Sequence, residues 1–307
     1  MTVRCIDLFA GWGGFTSGAL AAGAQVLWAA NHWPLAVEAH ASNHPNTMHA
    51  CQDVRQADWG SLPEFDVLLA SPACQGHSTA SQPARRRYHD ELRSTAWAVV
   101  DCADATEPAA LVVENVPSFK QWRLFNVWCQ ALAALGYTLT EHLLTASRWG
   151  VPQRRTRLFI VGLRGSAAGR LRLADPEVPE PAFWPHLDPK APGWRPITAA
   201  SPGAQARIRS AQARSGRDCL VQHVTGHPGV PVHEPIRTIT TKDQWAVVRG
   251  SKYRPLTIRE YARAMGFDDS YQWPRSSRAD AVLGIGNAVC PPVAAGVVRA
   301  VREATGL

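Results

Sequence analysis

The chain lacks any sign of paired cysteines. Its seven cysteines, at positions 5, 51, 74, 102, 129, 219 and 290, are odd in number, scattered, and include no C-x-x-C pair. That pattern argues against a disulfide framework or a zinc site and for a reducing compartment, so no metal is expected. Lysine is scarce, and nearly all of the 32 basic residues are arginine. No apolar run approaches the roughly 20 residues needed to cross a bilayer. The opening Met-Thr-Val-Arg-Cys-Ile-Asp has no secretory h-region and reads as a first strand. No internal repeat or low-complexity tract is present, and 46% hydrophobic against 19% charged residues excludes a disordered chain. A folded, soluble intracellular protein is expected.

What is present is a chain of 307 residues, enough for about two domains at roughly 150 residues each and for a large buried core. Lys+Arg minus Asp+Glu is 32 − 25 = +7, and residues 151–220 alone hold 11 Arg and 1 Lys against 5 acidic residues, again +7. Arginine's planar fork suits phosphate and guanine edges, so a polyanionic partner is the first expectation. A GC-rich coding sequence produces the same bias.

Residues 3–9 and 25–30 read as strands, with a helix from Phe15 to Ala22 between them and another from Leu35 to Ser42. Runs 65–70 and 110–113 are of the buried-strand type. Residues 122–135 read as a helix closed by Gly136, followed by strands at 138–144 and 158–162. This alternation predicts a largely parallel sheet with helices on both faces. From about Pro176 to Pro235 prolines and glycines are frequent and helical periodicity is weak, which predicts a loop-rich lobe. Helices return at 258–266 and 292–303.

Five segments carry candidate chemistry. Asp7-Leu-Phe-Ala-Gly11-Trp-Gly13-Gly14 follows a strand and opens a helix, where glycines let backbone approach a nucleotide-like ligand. Ser71-Pro-Ala-Cys74-Gln75-Gly76-His77-Ser78 puts a cysteine in a polar loop at a strand's carboxyl end, the usual place of reactive groups in α/β enzymes. Glu114-Asn115-Val116 follows the 110–113 strand and would lie beside the cysteine if the two strands are neighbours. In Gln153-Arg154-Arg155-Thr156-Arg157, Arg155 and Arg157 share one face at strand period. Gly284-Ile-Gly286-Asn287-Ala288-Val289 reads as a loop before the last helix.

With Arg254-Pro-Leu-Thr257-Ile-Arg259-Glu260, six motifs stand in the order and spacing of the DNA (cytosine-5)-methyltransferases, which the chain resembles over essentially its whole length. The resemblance implies a class I methyltransferase (Rossmann-like) fold, α/β, with a mostly parallel seven-stranded sheet and a smaller target-recognition domain. Residues 1–180 and 277–307 would be catalytic and 181–276 would recognise the target. It implies Cys74 as nucleophile, Glu114 as the acid at ring nitrogen 3, Arg157 on the base carbonyl, and Arg155 supporting the loop and nearby phosphate. S-adenosyl-L-methionine, leaving as S-adenosyl-L-homocysteine, would meet Phe9, Ala10, Gly11, Gly13, Gly14, His32, Trp33, Asp53, Val54, Pro72, Asn287 and Val289. Duplex DNA would meet Gln75, Ser78, Arg85, Arg86, Arg87, Arg207, Arg209 and Lys242, with Arg195, Arg214, Arg217 and Gln244 as further candidates. The stretch from Gly76 to about Tyr88 would be the lid over a flipped base.

Three positions depart from the family's pattern. His32 replaces the acidic residue that binds the ribose hydroxyls, Ala73 replaces the proline before the nucleophile, and His77 stands where phenylalanine is usual. A monomer in a bacterial or phage cytoplasm, associated with the nucleoid, is expected. A cognate restriction endonuclease is the protein partner such an enzyme implies. A transfer RNA cytosine-5 methyltransferase and a DNA-binding paralogue without turnover are the alternatives. The Cys-Phe-Thr tripeptide of the tRNA-modifying branch is absent from the recognition lobe.

Overall fold

Uninterrupted apolar runs can be buried only in strands covered on both faces, and the first half of the chain supplies them in order. The computed structural model describes residues 2–73, 95–224, 226–273 and 277–307. They group into two compact units: Met1–Thr145, Thr156–Pro176 and Ala288–Leu307 in the first, Ala146–Arg155 and Glu177–Asn287 in the second. Segments 146–155 and 277–287, expected with the sheet, therefore group with the second unit.

The first unit runs β1 (Arg4–Leu8), α1 (Gly14–Ala21), β2 (Gln25–Asn31), α2 (Pro34–Asn43), β3 (Met48–Cys51), β4 (Val67–Ala70), α3 (Trp97–Thr106), β5 (Ala110–Asn115), α4 (Phe125–Ala134) and β6 (Tyr137–Thr145). After β7 (Gln153–Arg154), which belongs to the second unit, comes β8 (Thr156–Arg164). Among the described residues seven strands form one sheet in the order β3-β2-β1-β4-β5-β8-β6. β1 pairs in parallel with β2 and β4, β4 with β5, and β2 with β3, whereas β8 runs antiparallel to both β5 and β6. The register is level, with Leu8 beside Ala70 and Ala70 beside Val113. Alternate residues of β1 serve opposite faces. Ile6 and Leu8 join the core with Leu68, Leu111, Val99 of α3 and Trp128 of α4, while Asp7 meets Thr16 of α1.

Several elements differ from expectation. Glu114 and Asn115 lie inside β5, because the antiparallel partner β8 extends its ladder to the last residue. Helix α4 starts at Phe125 rather than 122, since Pro117–Gln121 forms a 3-10 turn first. β3 and α3 have no counterpart in the sequence reading.

The second unit is more regular than a loop-rich lobe. It contains β9 (Arg195–Pro196), α5 (Pro202–Ser215), β10 (Cys219–Gln222), β11 (Val230–Pro231), β12 (Ile236–Arg237), β13 (Trp245–Arg249), β14 (Lys252–Pro255), α6 (Ile258–Ala264) and α7 (Arg278–Asn287). Five of its described strands form an antiparallel sheet, β11-β10-β13-β14-β9, and β12 pairs with β7. The apolar signal of α5 is faint because only Ile208 and Ala211 are buried, against Cys219, Val221, Ala246 and Val248. The Gly284–Val289 segment, expected as a loop, is helical through Asn287. Gly286 allows α7 to approach the backbone at 240, since a Cβ there would lie 2.4 Å from the Thr240 carbonyl oxygen.

The chain returns to the first unit as α8 (Pro291–Thr305), ten of whose residues are buried. It packs on α1 so closely that a Cβ at Gly18 would fall 2.4 Å from the Ala294 Cβ. Contrary to the expectation of no long apolar stretch, Arg278–Thr305 holds an 18-residue window of mean hydropathy 1.7. That window is 83% buried inside the protein, and Pro291 and Pro292 stand in this stretch.

Candidate active site

Parallel strands end together, so the carboxyl ends of β1, β2, β3, β4 and β5 share one edge of the first unit's sheet, and antiparallel β8 begins there. That edge gathers the glycine turn after β1, the start of the cysteine segment at Ser71, Glu114 and Arg157. After β1 the backbone turns through positive φ at Phe9 (59°), Gly11 (53°) and Gly13 (74°), the last opening α1. A non-glycine residue held there stores roughly 1–3 kcal/mol of strain. The turn is tied down at both ends: Ala10 N donates to Ala30 O at 3.0 Å, and Gly13 N to Ala10 O at 2.9 Å.

The segment leading to position 74 is anchored to the same turn. Ser71 N donates to Leu8 O, and its hydroxyl to Phe9 O, each at 3.2 Å. From β5, Asn115 Nδ2 donates to Pro72 O at 3.0 Å, both residues buried. Ser71 and Asn115 thus fix where the cysteine segment leaves the sheet. Only their places within the Ser71–Ser78 and Glu114–Val116 motifs hint at this. Cys74, Gln75, Ser78, Arg85, Arg86 and Arg87 lie outside the described residues.

Glu114 is 6% exposed, and its Oε1 lies 3.3 Å from Arg157 Nε at the start of β8. Arg157 also donates from Nη1 to the Thr156 carbonyl at 2.9 Å. So shielded a pair interacts more strongly than one in open water and holds both groups in place. Arg155 does not share that surface. It falls in the break between β7 and β8, so strand alternation does not reach it. Buried in the second unit, its guanidinium donates to Ile239 O and Gly286 O, each at 2.9 Å. Both acceptors are backbone carbonyls of the second unit, one just before Thr240 and one in α7. Gln153 does similar work, donating to Ala264 O and accepting from Ile239 N.

The cofactor candidates of the first unit lie along the same edge. His32 is exposed just after β2, and Trp33 begins α2 with its ring 6.1 Å from that of Trp12. Asp53 caps the 3-10 turn that buries Val54, and it grips Arg55 with Nη2–Oδ2 at 2.6 Å. The Arg55 guanidinium holds the Asp53 carboxyl below its ordinary value, with a smaller push from His32. Pro72 and Val289 are buried, whereas Asn287 is exposed in the second unit. The left-handed turn suits a nucleotide-like cofactor, and Trp33 offers a flat apolar partner. Of the DNA candidates, Arg209 and Lys242 are exposed and Arg207 is half-buried. Among the described residues no group of three or more His, Cys, Asp and Glu could hold a metal.

The strand order with one antiparallel member next to the last, and the glycine turn after β1, are those of the class I methyltransferase fold. The profile of C-5 cytosine-specific DNA methylases matches residues 3–191 and 194–303, and the chain belongs to that family. It is similar to the type II methyltransferase M.NlaX of Neisseria lactamica, at 26% identity over 98% of this chain and 95% of that one. M.HgiDI of Herpetosiphon aurantiacus is 33% identical over 54% of each chain. The fold matches a candidate DNA modification methyltransferase encoded in an Escherichia coli prophage, with TM-score 0.76, 19% identity and all of both chains covered. It also matches the S. pombe Dnmt2 methyltransferase, with TM-score 0.70, 17% identity and 99% of each chain covered. The protein is a DNA cytosine-5 methyltransferase.

Proposed function

We propose that the enzyme methylates carbon 5 of a cytosine flipped out of a specific duplex DNA sequence, through a transient covalent bond from Cys74. The observation that carries this is the Glu114–Arg157 pair at the end of β5, beside the strand end that leads to Cys74. Carbon 5 of cytosine is too electron-poor to attack an alkyl donor unaided. Addition of the Cys74 thiolate to carbon 6 makes it enamine-like. Glu114, as the acid, hydrogen-bonds ring nitrogen 3, and Arg157 steadies Glu114 and the carbonyl oxygen at carbon 2. S-adenosylmethionine supplies the electrophilic methyl group. Loss of the carbon-5 proton and expulsion of Cys74 then restore aromaticity.

The turn from Phe9 to Gly14 with Trp33, Asp53, Val54 and Pro72 would hold that cofactor, His32 standing at its ribose, and Asn287 and Val289 closing the methionine side. Because a stacked base cannot meet a thiol above its ring, the target must leave the helix at roughly a few kcal/mol. The lid from Gly76 to Tyr88, with Gln75, Ser78 and Arg85–Arg87, would cover it. The second unit, through Arg207, Arg209 and Lys242, would read the surrounding sequence. The named type II relatives support a modification enzyme paired with a restriction endonuclease; such an enzyme would work as a monomer in the cytoplasm.

The test uses duplex DNA carrying 5-fluorocytosine, which blocks the final proton loss, together with S-adenosylmethionine. A protein–DNA adduct that survives denaturation is expected from the native protein and not from Cys74→Ser. Full methylation by Cys74→Ser overturns the mechanism. Methylation of transfer RNA in place of duplex DNA overturns the substrate.

A further inference from the structure

Behind the cofactor turn the first unit hides a set of polar groups that the reaction above does not use. Asp7, the next-to-last residue of β1, is fully buried. Its Oδ2 accepts from the Thr16 hydroxyl at 2.7 Å, and its Oδ1 has no hydrogen-bond partner among the described residues. Thr16 Oγ1 lies 3.0 Å from His40 Nε2, and His40 Nδ1 lies 2.8 Å from Nε2 of half-buried His49 on the edge strand β3. His44, with its ring 4.7 Å from that of His40, reaches Ser17 at 3.2 Å and the Gly13 carbonyl. Thus one unbroken line of hydrogen bonds runs from the surface to the root of the cofactor turn, and a neighbouring imidazole touches the turn itself.

We propose that His49, His40 and Thr16 form a proton relay that sets the charge on Asp7, and through it how strongly the Phe9–Gly14 turn holds its cationic cofactor; this rests on the cofactor reading above. The line has two fully bonded states. In the first, His49 Nε2–H donates to His40 Nδ1, His40 Nε2–H to Thr16 Oγ1, and Thr16 O–H to the Asp7 carboxylate. In the second, one proton has entered from water at His49 Nδ1, and each group has handed on the proton it held. Asp7 Oδ2–H then donates to Thr16, Thr16 to His40 Nε2, and His40 Nδ1–H to His49 Nε2. Within this line no hydrogen bond is lost between the states and the balance is one proton taken up, while the second state also lets the His49 ring donate to the Thr47 backbone. This arrangement lets a deeply buried carboxyl change charge without breaking the line of bonds that reaches its Oδ2.

The surroundings make both states accessible. Burial pushes the Asp7 carboxyl up to about 7, against the pull of its Thr16 bonds. The other titratable groups nearby are few. Cys5 lies two residues back on β1 and feels Asp7, Asp66 and Arg302 of α8, while His40 feels His44 and His49. Burial keeps His40 well below its ordinary value and His44 at about 4, so these imidazoles pass protons near neutrality rather than store them. An ionised Asp7 attracts the sulfonium of S-adenosylmethionine and is indifferent to the neutral sulfur of S-adenosylhomocysteine.

The test has two arms. In the ligand-free protein the carboxylic-acid carbonyl band is followed by infrared difference spectroscopy between pH 5 and 9, with Asp7→Asn assigning it. A band titrating near neutrality is expected, with its midpoint moved by about one pH unit in His49→Phe and in His49→Gln. An absent band, or an unmoved midpoint in both variants, overturns the relay. In the second arm S-adenosylmethionine should bind about tenfold tighter at pH 8 than at pH 6, as one proton released from a group near 7 requires. S-adenosylhomocysteine binding should stay flat, and Asp7→Asn should flatten both. Equal S-adenosylmethionine affinity at the two pH values overturns the link to the turn while leaving the cofactor reading intact. Failure to bind at any pH sinks the cofactor reading and that link with it, while the infrared titration still judges the relay.

Discussion

The two units hold their helices by different means. In the first, α1, α2, α3, α4 and α8 begin at Gly13, Trp33, Ala96, Leu124 and Cys290, and none receives a side-chain cap. These helices rely on the sheet, whose core joins more than twenty buried residues from Ile6 to Ile160. In the second, α5 is capped by Ser201, and α6 has a full capping box of Thr257 and Glu260. The core cluster beneath α5 has only six buried residues. Where apolar area is small, local hydrogen bonds and buried ion pairs carry more of the order. The lesson is that the helices of the first unit are placed by what they bury, and those of the second also by the polar contacts at their starts.

The sharpest way to break that contrast is Glu260→Gln. Both its oxygens are saturated: Oε1 accepts from Arg254 Nη2 at 2.6 Å and Asp188 N at 2.8 Å, and Oε2 from Arg254 Nη1 at 2.8 Å and Thr257 N at 2.7 Å. Arg254 is itself 1% exposed and stacks over the Trp194 ring at 5.1 Å. Removing the carboxylate strands a buried guanidinium, at an expected cost of about 3–5 kcal/mol. A lowered urea midpoint is expected for the full chain. The paired change Arg254→Met with Glu260→Leu should recover much of the loss, and an unchanged midpoint in Glu260→Gln would refute the polar account.

The same contrast explains what could be read from sequence. Strand β4 and residues 110–113 of β5 are legible because they are apolar without interruption, and β1 because its β-rich run is ended by glycines; the glycine and cysteine motifs follow β1 and β4. β3, Met-His-Ala-Cys, is not, since it is a short edge strand whose His49 serves a polar line rather than a core. α5 escapes because its neighbours around Ile208 and Ala211 are arginine, glutamine and serine, leaving no apolar stripe. Within the site, Glu114 and Arg157 are visible as motif members. The roles of Ser71 and Asn115 depend on which strand ends are neighbours, a long-range fact that local pattern does not contain.

The first unit carries a polar burden of its own, and pH exposes it. His44 is held neutral in the folded chain, with its titration depressed by burial from 6.5 to about 4. Below about 6.5 the unfolded chain binds a proton that the folded one refuses, so stability present above that pH is lost as pH falls toward 4. A shift of that size corresponds to about 3 kcal/mol. Asp7 works in the opposite sense, because the folded state binds its proton up to about 7 and the unfolded state only near 4. The two shifts nearly cancel, but His40 and the arginine-paired carboxyls of Asp53 and Asp66 are also held below their ordinary values, so urea unfolding between pH 7 and 4 should show a net loss. His44→Gln should flatten the slope, and Asp7→Asn should steepen it. A slope unaltered by His44→Gln would place the acid sensitivity elsewhere.

The smallest effect tests the capping side of the contrast directly. Ser201 Oγ accepts from Ala204 N at the start of α5, though at 3.4 Å the bond is long. Its loss in Ser201→Ala should cost about 0.5–1 kcal/mol, at the low end for such caps. The converse change in the sheet unit, Ala96→Ser at the start of α3, should gain nothing. Ala96 is 1% exposed, and its carbonyl already accepts from the Trp128 indole at 2.9 Å. Thus a hydroxyl there enters a packed apolar site. Equal and opposite shifts in the two variants would mean that both units feel their caps alike. A loss in the first and no gain in the second would show that α3 is ordered by what it packs against.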